Sequence, residues 1–197
     1  MNENRISAGG QIRIYAGKCF RLFWSEKQWK KLISTLIIMG IISLVTGDKM
    51  FKEYPATKNG AFAVICACIW VGLFNSIQSI CRERAIIKRE HRTGLRLPSY
   101  VMAHVLYELA LCAIEAAIVL AIVFLRNADH LPDSGIIGPR VVDMYISFLL
   151  IIFASDLIAM LVSCIVKNEN EAMTVMPFVL IVQLVMSGAV FELSGVT

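Results

Sequence analysis

Charge is what this sequence has least of. Only 17% of its 197 residues are Asp, Glu, Lys or Arg, while 57% are hydrophobic and the mean hydropathy is +0.69. A water-soluble domain carries about 25% charged and about 45–50% apolar residues, so this composition excludes a soluble globule and implies an integral membrane protein. The charge that remains is unevenly placed. Residues 60–80 contain none, and 100–125 contain only Glu108 and Glu115. At about 1.5 Å per helical residue, either stretch exceeds the roughly 30 Å hydrocarbon core of a bilayer.

Other absences exclude chemistries. The six cysteines, Cys19, Cys66, Cys68, Cys81, Cys112 and Cys164, form no C-x-x-C pair and have no His at zinc spacing. They read as small apolar residues rather than disulfide partners. The H-E-x-x-H pattern that sets two imidazoles on one helical face is missing: neither Glu90-His91 nor His104 with Glu108 supplies the second His. A phosphate-cradling G-x-x-x-x-G-K-[ST] loop is missing too. Its nearest approach, Gly17-Lys18-Cys19, lacks the hydroxyl and has Ile12 where the first Gly belongs. The chain is therefore expected to be no enzyme and to bind no nucleotide, metal or other cofactor. No cleavable leader is expected, because the first apolar run begins only near Leu32, behind a mostly polar stretch.

What is present is a set of apolar runs separated by charged punctuation. Five spans are expected, at about 32–46, 60–80, 100–125, 141–166 and 173–190. Residues 1–31 hold seven basic residues, with Tyr15, Phe20, Phe23, Trp24 and Trp29 interleaved among them, the mix of a helix lying in the membrane interface. Residues 82–96 hold six more: Arg82, Arg84, Lys88, Arg89, Arg92 and Arg96. With the amino terminus in the cytoplasm, 14 of the 19 Lys and Arg residues lie inside, as the distribution of positive charge over short loops requires. The net charge of +4 is thus a topology signal, and no nucleic-acid partner is expected.

The segment between the second and third spans has its own structure. It predicts a short interfacial helix over about 82–93, stopped by Gly94, and a new helix with Pro98 in its first turn. Arg84, Lys88 and Arg92 recur every four residues on one face, and neither Glu83 nor Glu90 has an opposite charge three or four places away. The ridge is expected to be met from outside, by anionic lipid or an acidic partner.

Acids inside the spans are the other feature. His104, Glu108, Cys112 and Glu115 fall on one stripe, and Asp156 lies at a similar depth in the fourth span. With no Lys or Arg in any span to pair them, they are expected to be protonated, hydrogen-bonded between helices, or facing water. The residues leave open whether they are structural or line a cavity. Asn75, Glu108, Glu115, Asp156 and Gln183 are the candidate cavity-lining set.

Glu83-Arg84, Arg89-Glu90, Gly94 and Ser99-Tyr100, set between the second and third spans, resemble the membrane domain of ABC exporters of the G-subfamily, the White and pleiotropic-drug-resistance type. Lys167-Asn168, Ala172, Pro177 and Ser187-Gly188 are similar to that family's turn and fifth helix. The resemblance covers roughly 20–197. It implies an all-α permease domain over 32–197, an amphipathic connecting helix within 1–31, and a coupling helix that docks on an ATP-binding domain. Glu83, Arg84, Lys88, Arg89, Glu90, Arg92 and Gly94 are the residues it assigns to coupling. It further implies a homo- or heterodimer of permeases enclosing a substrate cavity, in contact with membrane lipid, with ATP and magnesium held by the partner. The family has six spans, so a sixth is expected beyond Thr197. The function expected is export of a lipid-like or amphiphilic substrate across the cytoplasmic membrane. The alternative is an ion-gradient-driven transporter or channel using the acidic stripe of the third span.

Overall fold

The computed structural model describes residues 8–25, 28–46, 54–92, 94–127 and 139–186, and every regular element among them is an α-helix. Seven helices follow in order: α1 (Ala8–Ser25), α2 (Lys30–Thr46), α3 (Tyr54–Ser76), α4 (Ser79–Arg92), α5 (Leu97–Asn127), α6 (Arg140–Ile165) and α7 (Glu169–Met186). Three stretches among the described residues are long and apolar enough to cross a membrane: Thr57–Arg92, Leu97–Arg126 and Arg140–Ile165. A fourth is added if Gly9–Ser25 and Lys30–Val45, bent by 67° at their junction, make one span. The Ser187-Gly188 pair and His130 lie outside the described residues.

The second expected span differs from its sequence reading. Helix α3 begins at Tyr54, and only a turn at Ile77 and Gln78 separates it from α4. That turn keeps helical bonding, since Ile77 N–H donates to Leu73 O at 3.1 Å and Arg82 N–H to Gln78 O at 3.2 Å. The charged helix is therefore the continuation of a span. Its end follows the sequence. Gly94 has φ 109°, Leu95 N–H donates to Glu90 O and Gly94 N–H to His91 O, so two carbonyls of the last turn are satisfied by a left-handed cap that favours glycine.

Helix α3 is the axis of the bundle, with two buried faces. One packs Val64, Ala67, Cys68 and Val71 against Met39 of α2, Cys112, Ala116 and Val119 of α5, and Ile152 of α6. The other packs Ile69, Leu73 and Ile77 against Ala159 of α6 and Ala172, Met176 and Leu180 of α7. Lipid is as apolar as these side chains, so close van der Waals fit and hydrogen bonds hold the helices together. Gly72 sets the α3–α6 distance: a methyl there would collide with Ile152 O and stand 2.9 Å from Ser155 Cβ. All six cysteines are free thiols.

Candidate functional site

The residues that the resemblance assigns to coupling divide by direction. Glu83 turns inward, accepting from Tyr100 Oη at 2.8 Å, with Lys18 Nζ at 3.6 Å and His104 Nε2 at 4.0 Å. Glu90 also turns inward and accepts from Tyr15 Oη at 2.9 Å. Gln11 straddles the end of α4, donating to Gly94 O and accepting from Arg96 N–H. Helix α1 therefore clamps the α4–α5 turn through polar contacts, helped by edge-on packing of Tyr15 on Tyr100 and Phe20 on Tyr107. Lys88, Arg89 and Arg92 point the other way and are exposed.

Arg84 corrects the reading of a ridge met wholly from outside. Its guanidinium donates to Val166 O at 2.6 Å and to Cys164 O at 3.4 Å, at the end of α6. The last carbonyls of a helix have no intrahelical donor and carry the negative end of its dipole, so a cation from α4 is favoured there. The service is returned. Ser163 Oγ of α6 accepts from the N–H groups of Ile80 and Cys81, both at 3.1 Å, in the first turn of α4 where orphan donors lie. Two helix ends thus cap each other. Beyond them Asn168 Oδ1 accepts from Glu171 N–H at 2.9 Å and starts α7.

The acids at depth form a second group. Glu108, Glu115 and Asp156 are 1%, 0% and 0% exposed. The expectation that no basic side chain reaches them is overturned. Lys31 Nζ stands 3.9 Å from Glu108 Oε1 and donates to Asn75 O at 2.8 Å. Lys31 belongs to the first turn of α2, and its four-carbon stem carries the ammonium inward, a reach that counting charges within spans does not register. Glu115 Oε2 accepts from Asn75 Nδ2 at 2.7 Å, and its Oε1 lies 3.1 Å from Thr35 Oγ1. Asp156 Oδ1 accepts from Ser76 Oγ at 2.5 Å. Gln183 of α7 meets Ser155 Oγ at 3.2 Å, and that hydroxyl also donates to Ile69 O at 2.7 Å. With the Gln183 amide nitrogen turned to Ser155, that hydroxyl donates to Ile69 O and accepts from Gln183.

Of the candidate cavity set, Asn75 and Glu108 border two cavities among the described residues. Both line one of about 370 Å³ among α1 to α5, and Asn75 also lines one of about 270 Å³ between α2 and α3. Glu115, Asp156 and Gln183 line neither and sit in helix–helix contacts. Thr35, Ser155 and Ser163 did not enter the sequence reading. Their signal was available, since a hydroxyl inside an apolar run needs a partner on another helix. Among the described residues no group of three or more His, Cys, Asp or Glu side chains is arranged to hold a metal ion.

Residues 10–196 match the ABC-2 type transporter family. An ABC transporter ATP-binding/permease protein of Mycobacterium tuberculosis is 25% identical over 195 residues, which cover 94% of this chain and 22% of that protein. No solved structure matches the chain. The match runs through all seven helices, including the α1 clamp, the capped α4–α6 joint and the buried polar cluster. The chain belongs to the ABC-2 type transporter family and is a membrane component of an ABC transporter.

Proposed function

We propose that the chain is the permease of an ATP-driven exporter of the G-subfamily type, working as a homo- or heterodimer and moving a lipid-like or amphiphilic substrate across the cytoplasmic membrane. In this reading α2, α3, α5, α6 and α7 are the five crossings, α1 lies in the cytoplasmic interface, and ATP and magnesium are held by a separate ATP-binding domain. That domain docks on the outward face of α4. The relative's name couples ATP binding to permease, and this chain matches 22% of its length, which the reading takes as the permease part.

One observation carries it: α4 has sorted its charges. Its acids are held inward by Tyr15, Lys18 and Tyr100, while Lys88, Arg89 and Arg92 are exposed beside one another. A basic face on a helix held rigidly to α1 and α6 suits an acidic docking surface, and a push on it is passed to the spans.

The test is charge reversal of Lys88→Glu with Arg92→Glu, expressed with the ATP-binding partner in vesicles. Transport is expected to fall about tenfold or more while ATP hydrolysis persists, since facing like charges cost several kcal/mol. Insertion should be unchanged, because Arg82, Arg84, Arg89 and Arg96 still hold the loop inside. Normal coupled transport in the double variant would remove the docking role.

A further inference from the structure

The two cavities lie on either side of shared lining residues at the α2–α3 seam, Lys31, Phe74 and Asn75. The larger, at about 370 Å³, has room for far more than one water, whose share of liquid volume is about 30 Å³. Two of its lining residues, Glu108 and His104, each keep a buried polar atom without a hydrogen-bond partner, Oε2 and Nδ1. Those residues are 1% and 7% exposed, one helical turn apart on α5. Glu108 meets Lys31 only through its other oxygen. His104 Nε2 lies 3.9 Å from Cys19 Sγ and 4.0 Å from Glu83 Oε2, and in the tautomer with the proton on Nε2 the Nδ1 atom is a bare acceptor. Glu83 lines the same cavity. The space thus presents acceptors and asks for N–H donors.

The smaller cavity has a different character. Lys30, Lys31 and Ser34 stand at one end, and Ile38, Val71 and Phe74 supply an apolar wall running along the spans. Such a wall suits an acyl chain, and two ammonium groups beside a hydroxyl suit a phosphate. An occupant of both cavities would carry a phosphate flanked by a chain on one side and an N–H donor on the other.

We propose that each protomer holds one aminophospholipid at this seam, its phosphate between Lys30 and Lys31, its primary ammonium against Glu108 and His104, and an acyl chain along Ile38 and Val71. A primary ammonium offers three N–H donors to these acceptors, whereas a trimethylated headgroup offers none. The lipid joins α2 to α3 and α5 where the protein leaves polar atoms unpaired. The site is distinct from the docking face of α4, and its test needs no ATP-binding partner.

The experiment measures binding to the full chain, purified in detergent, by native mass spectrometry. The probes are lysophosphatidylethanolamine, its mono- and dimethyl forms, lysophosphatidylcholine, and phosphoethanolamine without a chain. One lysophosphatidylethanolamine should bind per protomer, with affinity falling stepwise on methylation to at least about tenfold weaker for lysophosphatidylcholine, the scale of one lost hydrogen bond to a charged group. Glu108→Gln should abolish that discrimination, and Lys30→Gln should weaken all phosphate-bearing lipids alike. Equal affinity across the methylation series, or no saturable binding, would overturn the proposal and leave a hydrated cavity. Phosphoethanolamine binding as tightly as the lysolipid would overturn the lipid as its source. The wild-type series decides even where Glu108→Gln does not fold.

Discussion

Glu115 shows how a buried acid can be structural without a fixed charge. Its two oxygens meet Asn75 Nδ2 and Thr35 Oγ1, and Thr35 has one proton but a second acceptor, Lys31 O, at 3.2 Å. A Gln side chain fits this arrangement: its carbonyl accepts from Asn75, its amide donates to Thr35, and the Thr35 proton goes to Lys31 O. Glu115→Gln should therefore leave thermal stability in detergent almost unchanged. Glu115→Leu should cost about 1–3 kcal/mol, because it leaves the Asn75 amide buried without its acceptor. Equal losses in the two variants would mean that a negative charge, and not a hydrogen-bond acceptor, is what the site requires. Sequence placed Glu115 on one stripe with His104, Glu108 and Cys112, leaving open whether it faces water or protein, and all four are buried. It could not supply Lys31, because the pairing depends on where the start of α2 lands against α5. Nor could it separate the residues at cavities, Asn75 and Glu108, from those between helices, since both environments demand the same polar letters.

Between elements, the joint of α4 with α6 is the feature on which coupled motion would depend. Ser163 caps the start of α4 and Arg84 caps the end of α6, so the two helices exchange partners for groups that neither can satisfy alone. Ser163→Ala should lower stability by about 1–3 kcal/mol, the range for leaving buried polar groups unpaired, and Arg84→Ala, whose bonds are part-buried and exposed, by about 1 kcal/mol, the scale of a cation at a helix end. Lys88→Ala, four residues along the same helix but exposed, should stay within about 0.5 kcal/mol. Thermal unfolding of the three variants in one detergent checks this, and an Arg84→Ala as silent as Lys88→Ala would make the cap idle. The elements themselves were legible from apolar runs and charged breaks: Gly94 ends α4, Pro98 sits in the first turn of α5, and the fourth span is 26 residues of α6. The roles within α4 were not. Arg84, Lys88 and Arg92 share a spacing that makes them look equivalent, and only the end of α6, some 80 residues on, takes Arg84 out of the set.

For the molecule as a whole, the orientation in the membrane decides whether α4 can meet a cytoplasmic partner. The stretch Thr57–Arg92 has 36 residues, about 54 Å of helix, against roughly 30 Å of hydrocarbon. For an upright helix about 24 Å would project, and the charged end beginning at Arg82 is the part that water can hold. Helix α1 is bound to that same end through Gln11, Tyr15 and Lys18, so the basic residues of α1 and α4 lie on one side of the bundle. Positive charge in short segments is retained in the cytoplasm, so both are expected inside, with the start of α3 expected on the opposite surface. Single cysteines replacing Arg13, Arg92 and Lys58, three exposed positions, report this directly when introduced with the exposed Cys164 changed to Ser. In intact cells a membrane-impermeant maleimide should label the chain carrying Lys58→Cys. It should label those carrying Arg13→Cys or Arg92→Cys only after the membrane is opened. The reverse pattern would turn the bundle over, and α4 would then face the surface where no ATP is available to a docked partner.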